Sequence, residues 1–333
     1  MLSRFLLLCC ALALAFPVYS AESTHPHKPG KHKTVASNKT SHPSVSSGKI
    51  IHTLRSDNAY HPASYQVQHS VFRSEANNNS ELRLASSKAL IINQNTGEVL
   101  YAKSTDVPTP IASVTKLMTA MVVLDAHQPL DEAITISDAE VDTLKGTSSR
   151  LRVGTTLARG EMLQLALMAS ENRAAAALGN NYPGGRAAFV AAMNAKAAVL
   201  GMTRSRFVDG TGLNSENVST AEDLAKMVKA AYQYPEIRQV TTTAQYEVPV
   251  HGLRQPVEFH NTNILVRNSD WEIGLSKTGF INEAGRCLVM QAKIAEQPLI
   301  IVLLDSWGKF TRIGDAQRIR KWIESSNGPG KLG

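Results

Sequence analysis

Three apolar runs, separated by very short links, fill much of the last third of the 333-residue chain. They cover residues 273–278, 287–294 and 299–304 and are rich in the Ile, Val and Leu that suit buried β-strands. The links, residues 282–285 and 296–298, contain the turn formers Gly and Pro. Parallel neighbours need a crossover of a dozen or more residues, so these strands must be antiparallel.

The rest of the chain predicts a second set of strands and a helical block. Residues 89–92 and 99–102 flank an Asn-Thr-Gly turn and predict a hairpin. Residues 159–231 are mostly helical by periodicity and end at Pro235, and a final amphipathic helix covers residues 315–325. Strands at both ends and helices between them predict an α+β fold with one antiparallel sheet.

The N-terminal region is expected to lie outside this fold. Residues 1–20 carry Arg4, an apolar run and a small residue at Ser20, which predicts a secretory signal peptide cleaved after Ser20. Residues 21–87 are rich in Ser, His, Lys, Asn and Pro and lack apolar periodicity, which predicts a disordered or weakly ordered basic leader. The run is too short to span a bilayer, so we expect an exported chain without a transmembrane segment.

The folded domain is then expected over residues 88–325, with a mostly helical subdomain at about 125–235 and a tail at 326–333. Only Cys287 remains after removal of the signal peptide, so no internal disulfide is possible. Cys287 lies in an apolar run, which is typical of a small buried core residue.

The basic charge does not indicate nucleic-acid binding. Of the net charge of +7, the signal peptide contributes +1, residues 21–87 contribute +4 and residues 88–333 contribute +2. The folded part is therefore nearly neutral, and a basic leader favours anionic polymers or lipid surfaces, or is simply a solubilising linker.

A Ser-x-x-Lys spacing occurs three times, at Ser46, Ser113 and Ser306. Ser46 lies in the predicted leader, and Ser306 lies after what we take to be an edge strand, beside a glycine turn. Only Ser113 lies at a predicted helix start, with Lys116 one turn further on the same face. Such a position holds both side chains rigidly and favours negative charge at the hydroxyl oxygen.

Two further motifs accompany Ser113 and Lys116. Ser170-Glu171-Asn172 falls at a break between two helical segments, whereas the similar residues 215–217 belong to a turn. Lys277-Thr278-Gly279 occurs once and ends a strand, where Gly279 lets a ligand or another backbone approach closely. Glu171 has no assigned role, because it could pair with a neighbouring cation or face solvent.

The chain resembles the D-alanyl-D-alanine endopeptidases among the low-molecular-mass penicillin-binding proteins, over roughly residues 86–325. The resemblance is carried by these stretches: PIASVTKLMTAMVVLDA, LALMASENRAAAAL, YPGG, STAEDL and LSKTGFINEAGRCLVM. It implies the serine β-lactamase/DD-peptidase fold, with a five-stranded antiparallel sheet flanked by helices. It also implies a periplasmic serine peptidase, loosely associated with the membrane or wall, that hydrolyses D-alanyl-meso-diaminopimelate cross-links of peptidoglycan and is covalently inhibited by β-lactams.

The proton chemistry assigns the catalytic roles as a hypothesis. A serine hydroxyl needs a base, and an ordinary lysine with a pKa of about 10.4 is rarely deprotonated at neutral pH. Burial among neutral groups, with a second cation nearby, would lower that pKa. We expect Ser113 to attack, Lys116 to accept its proton, Ser170 to pass a proton to the leaving amine, and Asn172 to orient Lys116 and the substrate.

The substrate-binding roles follow from the third motif and the resemblance. Lys277 is expected to attract the carboxylate beside the scissile bond, and Thr278 to hydrogen-bond it. By resemblance, the backbone N–H groups of Ser113 and Phe280, next to Gly279, form the oxyanion hole. Water completes the cycle, so no metal or organic cofactor is expected.

A carboxypeptidase and a non-catalytic module remain open as alternatives, whereas a β-lactamase is not expected. A β-lactamase would need a carboxylate to activate water, and no glutamate with the expected pattern lies between Asn172 and Lys277. A D-alanyl-D-alanine carboxypeptidase typically places an arginine at the end of the last strand, where residues 304–307 offer Trp307, and appends a further domain and an anchor. A non-catalytic wall-binding or β-lactam-sensing module would not need the proton relay.

Overall fold

A computed structural model describes residues 82–326, so the predicted signal peptide, most of the leader and the tail from residue 327 lie outside the described part. The strands are β1 Lys88–Asn93, β2 Val99–Lys103, β3 Thr109–Pro110, β4 Ala133–Thr135, β5 Thr156–Ala158, β6 Val218–Ser219, β7 Gln245–Val248, β8 Val257–His260, β9 Glu272–Ile281, β10 Gly285–Ile294 and β11 Gln297–Ser306. The α-helices are α1 Lys116–Asp125, α2 Arg159–Met168, α3 Asn172–Asn180, α4 Gly185–Val199, α5 Ala221–Ala231, α6 Pro235–Thr242 and α7 Thr311–Ser326. Short 3₁₀ helices cover Ala112–Thr115, Asp138–Glu140 and Ile264–Arg267.

The main sheet has five antiparallel strands in the order β2-β1-β11-β10-β9. The predicted hairpin and the three predicted C-terminal strands are all present, and strands from both ends of the domain meet where β1 pairs with β11. β11 is thus the central strand, and the expectation that Ser306 follows an edge strand is wrong. β9, which carries the Lys-Thr-Gly motif, lies at the edge.

Both faces of the sheet are covered, which explains its continuous apolar strands. Leu90 and Val302 face a core shared with the helical block, and Ile91 and Ile301 face a second core under α7. Alternate residues of one strand point to opposite faces, so one strand contributes to both cores. The sheet therefore stands between the helical block and α7.

Helix α1 runs through the centre of the helical block. Eight of its ten residues are buried, including Met118 and Met121 at zero exposure, so these methionines are core residues. A helix that is apolar on all sides must be surrounded by protein. Lys116 is the first residue of α1, and it is buried because the apolar residues that follow it in the helix are packed in this interior.

Several local elements differ from the sequence prediction. Pro235 begins α6 instead of ending the helical block, since proline suits the first turn of a helix. The two-stranded sheets β4–β5 and β7–β8, whose strands are only three or four residues long, were not predicted.

The folded part begins before the predicted boundary at Lys88. Ser86 is fully buried, and the Asp315 carboxylate of α7 accepts hydrogen bonds from the Ser86 N–H at 2.7 Å and the Ser86 hydroxyl at 2.6 Å. Lys103 donates to the carbonyls of Leu84 and Ser86. The last residues of the predicted leader are thus fixed by charged side chains from two separate elements.

No helix among residues 82–326 is both long and apolar enough to cross a membrane. Cys287 is fully buried in β10, as expected, and burial raises the pKa of its thiol to about 11.

Candidate active site

Ser113 lies in the 3₁₀ turn Ala112–Thr115, which leads directly into α1. The sequence predicted a helix start, and the actual turn is tighter, with Ala112 at a φ of +48°. Gly212 packs against this turn so closely that a Cβ atom there would lie 2.0 Å from the Ala112 carbonyl oxygen. The turn is therefore held by a neighbouring loop as well as by its own helix.

Lys116 brings together two of the three motifs. Its amino group is fully buried and lies 2.8 Å from Ser113 Oγ, 2.8 Å from Asn172 Oδ1 and 2.6 Å from the Thr211 carbonyl oxygen. Two of these partners can only accept, and the third is a hydroxyl that can donate or accept. A neutral amine fits this set, because it donates twice and directs its lone pair at the Ser113 O–H.

The electrostatic environment favours that neutral form. Complete burial lowers the pKa of Lys116 from 10.5 to about 7, because the ammonium loses its hydration. The carboxylates of Asp209 and Glu171 act in the opposite direction and keep the pKa from falling further. At neutral pH a large fraction of Lys116 is therefore free base beside the Ser113 hydroxyl.

The loop after Asp209 supplies the third partner of Lys116. The buried Asp209 carboxylate accepts from the backbone N–H groups of Thr211, Gly212 and Asn214 and from the side chain of Asn217. These bonds fold the loop into a turn and aim the Thr211 carbonyl at Lys116. A backbone carbonyl carries no residue-type signal, so sequence reasoning missed this contact.

Ser170 and Lys277 form the second proton-bearing pair. Ser170 occupies the predicted break between α2 and α3 with a φ of +61°, and Lys277 Nζ donates to its Oγ at 2.8 Å. Burial first, and then repulsion by Lys116 and Arg312, hold the pKa of Lys277 well below 10.5. All three motifs therefore converge on one place.

The end of β9 passes directly over the serine turn. A Cβ atom on Gly279 would lie 2.9 Å from the Ile111 carbonyl oxygen and 3.1 Å from the Ser113 nitrogen. Only glycine allows this approach, which brings the backbone of β9 against the backbone nitrogen of Ser113. Phe280 follows with its ring half exposed and covered on one side by the Arg286 guanidinium.

Residues of all three motifs, among them Ser113, Ser170 and Thr278, line an open cleft of about 460 Å³. Thr262, which the sequence analysis did not single out, accepts a 2.6 Å hydrogen bond from Thr278 Oγ1 within this cleft. Its own N–H donates to the Met168 carbonyl, so the loop after β8 is tied to the end of α2. Thr262 lies 15 residues or more from every motif and has no spacing signal.

Arg312 corrects the expectation that Trp307 replaces a carboxylate-binding arginine. Arg312, in the first turn of α7, is 9% exposed and lines the cleft, whereas Trp307 is 82% exposed. Its Nε and Nη1 atoms are buried and find no hydrogen-bond partner among the described residues. A buried guanidinium with free donors in a cleft is a site for a carboxylate.

The remaining candidates have other environments. Ser306 is buried and hydrogen-bonds Ser86 at 2.7 Å, outside the set of residues that line the cleft, and Ser46 lies outside the described residues. Glu171 accepts a hydrogen bond from Ser149 at 2.6 Å. Within residues 82–326 no cluster of His, Cys, Asp and Glu could hold a metal ion.

A family model described as D-alanyl-D-alanine carboxypeptidase matches residues 75–308. The chain belongs to the D-alanyl-D-alanine carboxypeptidase family. Like the other members, it is a serine DD-peptidase, and both the predicted family and the predicted fold are confirmed.

Relatives of this DD-peptidase cover most of its length. It is 52% identical to a D-alanyl-D-alanine endopeptidase of Pseudomonas aeruginosa over 73% of this chain and 78% of the relative. It is 49% identical to a D-alanyl-D-alanine endopeptidase of Escherichia coli, over 74% and 79%. The DD-transpeptidase of Streptomyces K15 superposes with a TM-score of 0.68 at 31% identity, over 74% of this chain and 99% of that one.

Proposed function

We propose that this DD-peptidase hydrolyses the D-alanyl-meso-diaminopimelate cross-links of peptidoglycan through an acyl-enzyme on Ser113. The observation that carries the proposal is the 2.8 Å contact between Ser113 Oγ and a buried Lys116 whose pKa is about 7. The endopeptidase activity is supported by the two relatives of that name, at 52% and 49% identity.

In the acylation step, neutral Lys116 takes the Ser113 proton as Oγ attacks the D-alanyl carbonyl. Asn172 and the Thr211 carbonyl hold the resulting ammonium, to which both can accept hydrogen bonds. The backbone N–H groups of Ser113 and Phe280 stabilise the oxyanion, and the close approach of Gly279 supports that placement.

Departure of the amine requires a proton at its nitrogen. Ser170 delivers it, because its hydroxyl contacts Lys277 and faces the same cleft as Ser113. The Lys116 ammonium then returns its proton to the Ser170 oxygen and is neutral again. Water attacks the acyl-enzyme carbonyl, Lys116 accepts the proton of that water, and the proton passes to Ser113 Oγ as the acyl bond breaks. β-Lactams acylate the same serine. Their release is slow, because no glutamate with the β-lactamase pattern lies between Asn172 and Lys277 to activate the hydrolytic water.

The carboxylate next to the scissile bond binds Lys277, Thr278 and Arg312. Burial of two cations near each other is unfavourable, and an anion between them relieves that cost. The same carboxylate exists on a terminal D-alanine and on the D-centre of diaminopimelate. Arg312 therefore favours D-alanyl-D-alanine carboxypeptidase activity as the second candidate function.

The predicted signal peptide supports a periplasmic location, where the substrate is found. Peptidoglycan is then the macromolecular partner, and β-lactams are covalent inhibitors.

Side-by-side digestion of purified cross-linked muropeptide dimers and pentapeptide monomers tests the proposal. We expect dimers to be converted to monomers by the wild-type chain and not by Ser113→Ala. Release of D-alanine from pentapeptides without cleavage of dimers would instead establish the carboxypeptidase.

A further inference from the structure

Lys145 is the cation of the cleft that the proposed mechanism does not use. Lys116 and Lys277 are fully buried and committed to motif residues, whereas the Lys145 side chain is 29% exposed at the rim. It belongs to the loop between the 3₁₀ helix at residues 138–140 and β5, on the helical side of the cleft. Its amino group pairs with Glu283, in the turn between β9 and β10 on the sheet side. The pair therefore crosses the cleft opening.

The backbone of Lys145 is fixed relative to the catalytic groups. The Asp142 carboxylate accepts hydrogen bonds from the N–H groups of Leu144, Lys145 and Thr147 at 2.8–3.0 Å. Thr147 Oγ1 in turn accepts from Asn172 Nδ2 at 3.2 Å. The loop thus holds the base of the Lys145 side chain in place, while its amino group remains free to exchange partners.

The ion pair itself is easily exchanged. Glu283 is 43% exposed and Lys145 is 29% exposed, and exposed pairs contribute little to stability. The hydrogen bond from Lys145 keeps the pKa of Glu283 low, so the carboxylate stays charged. Another carboxylate at the rim can therefore replace Glu283 at little cost.

On the leaving-group side of the scissile bond, a cross-linked substrate supplies such a further carboxylate and a pentapeptide monomer does not. The leaving group of a monomer is a single D-alanine, whose carboxylate is bound by the buried Arg312. The leaving group of a dimer is a whole second stem peptide with further carboxylates. A cleft of about 460 Å³ encloses a ligand of drug size, so this stem must extend over the rim.

We propose that Lys145 is a specificity-determining residue that exchanges Glu283 for a carboxylate of the second stem peptide. This inference rests on the proposed function and names the group that distinguishes dimers from monomers. Glu283 holds Lys145 across the opening until a dimer binds.

Three variants test the exchange. Lys145→Met removes the charge and keeps the backbone N–H that Asp142 binds, and Glu283→Gln removes the competing carboxylate. Lys293→Met is the matched control, because Lys293 forms a comparable exposed pair with Glu296 away from the cleft. The readouts are kcat/KM for cross-linked dimers, kcat/KM for pentapeptides and the second-order rate of penicillin acylation.

We expect Lys145→Met to lower kcat/KM for dimers about two- to fivefold, as for a partly exposed ion pair. Its values for pentapeptides and penicillin should stay unchanged, as should all values for Lys293→Met. Glu283→Gln should leave dimer cleavage equal or faster. An equal loss on all three substrates would mean that Lys145 acts through the loop and Asn172, and no loss on dimers would mean that it binds nothing; either result overturns the inference.

Binding to the inactive chain separates this inference from the proposed function. Calorimetric titration of dimers into Ser113→Ala and into Ser113→Ala/Lys145→Met should show about two- to fivefold weaker binding to the double variant. If wild-type protein binds dimers without cleaving them, the endopeptidase proposal fails while the titration still decides the role of Lys145. Equal binding by both chains contradicts that role.

Discussion

Replacing Lys116 by methionine should change the pH dependence of folding stability in a predictable way. Methionine has a similar length and no charge, so Lys116→Met keeps most of the packing at the start of α1. The wild-type chain buries an amine whose pKa falls from 10.5 to about 7, whereas the unfolded chain keeps the ordinary value. Between these values the unfolded state binds more protons, so stability must rise with pH.

The size of the effect follows from the two pKa values. A fall from 10.5 to about 7 corresponds to about 5 kcal/mol of unfavourable free energy for the ammonium in the folded state. In the window between them, the free energy of unfolding of the wild type should rise by about 1.4 kcal/mol per pH unit relative to Lys116→Met. Below pH 7 both wild-type states are protonated, so the difference becomes constant.

Urea unfolding of both chains at pH 6, 7, 8 and 9 measures this difference. Titrating groups remote from Lys116 are present in both chains and cancel in the subtraction, whereas Lys277 differs between the chains only where Lys116 is charged and repels it. We expect the wild type to gain about 2 kcal/mol on the variant between pH 7 and pH 9, because the full slope is reached only above the folded-state pKa. Parallel curves over that range would mean that Lys116 stays charged in the fold, which would refute its assignment as the base for Ser113.

Three further substitutions have defined outcomes. Glu171→Gln removes a carboxylate that raises the pKa of Lys116, so the acidic limb of the pH profile of penicillin acylation should move to lower pH, whereas an unmoved limb would contradict this coupling. Gly279→Ala places a methyl group 2.9 Å from the Ile111 carbonyl oxygen, and stopped-flow acylation should slow about ten- to a hundredfold. Asp315→Asn should lower the free energy of unfolding by about 1–3 kcal/mol at neutral pH. Burial raises the pKa of Asp315, but hydrogen bonding outweighs burial and lowers that pKa overall. The stability deficit of the variant should therefore shrink in acid, as the wild-type carboxylate is protonated. A deficit independent of pH would argue against a charged Asp315 in the folded chain.

The sheet could be predicted from sequence because its information is local. The strands are continuous apolar runs, and links of a few residues leave only antiparallel neighbours. The position of β11 in the centre could not be read in this way, because it depends on the pairing of β11 with β1, about 200 residues earlier in the chain. Ser306 therefore looked like the end of an edge strand.

The motif residues were found because their side chains carry the chemistry. Lys116 contacts Ser113 and Asn172, and Lys277 contacts Ser170, so residues of all three motifs lie together in the structure. Site groups outside the three motifs have no such sequence signal. The Thr211 carbonyl could belong to any residue type. Arg312 reaches the cleft only because α7 packs beside β10 and β11. Sequence predicts the reacting groups better than the groups that hold them.

The most direct test of the account is the site of covalent modification by a labelled penicillin. Mass spectrometry of the digested adduct should locate the label on the peptide that contains Ser113. Ser113→Ala should carry no label, while Ser306→Ala, at the other Ser-x-x-Lys within the described residues, should be labelled at the wild-type rate. Persistent labelling of Ser113→Ala would contradict the assignment of Ser113 as the nucleophile.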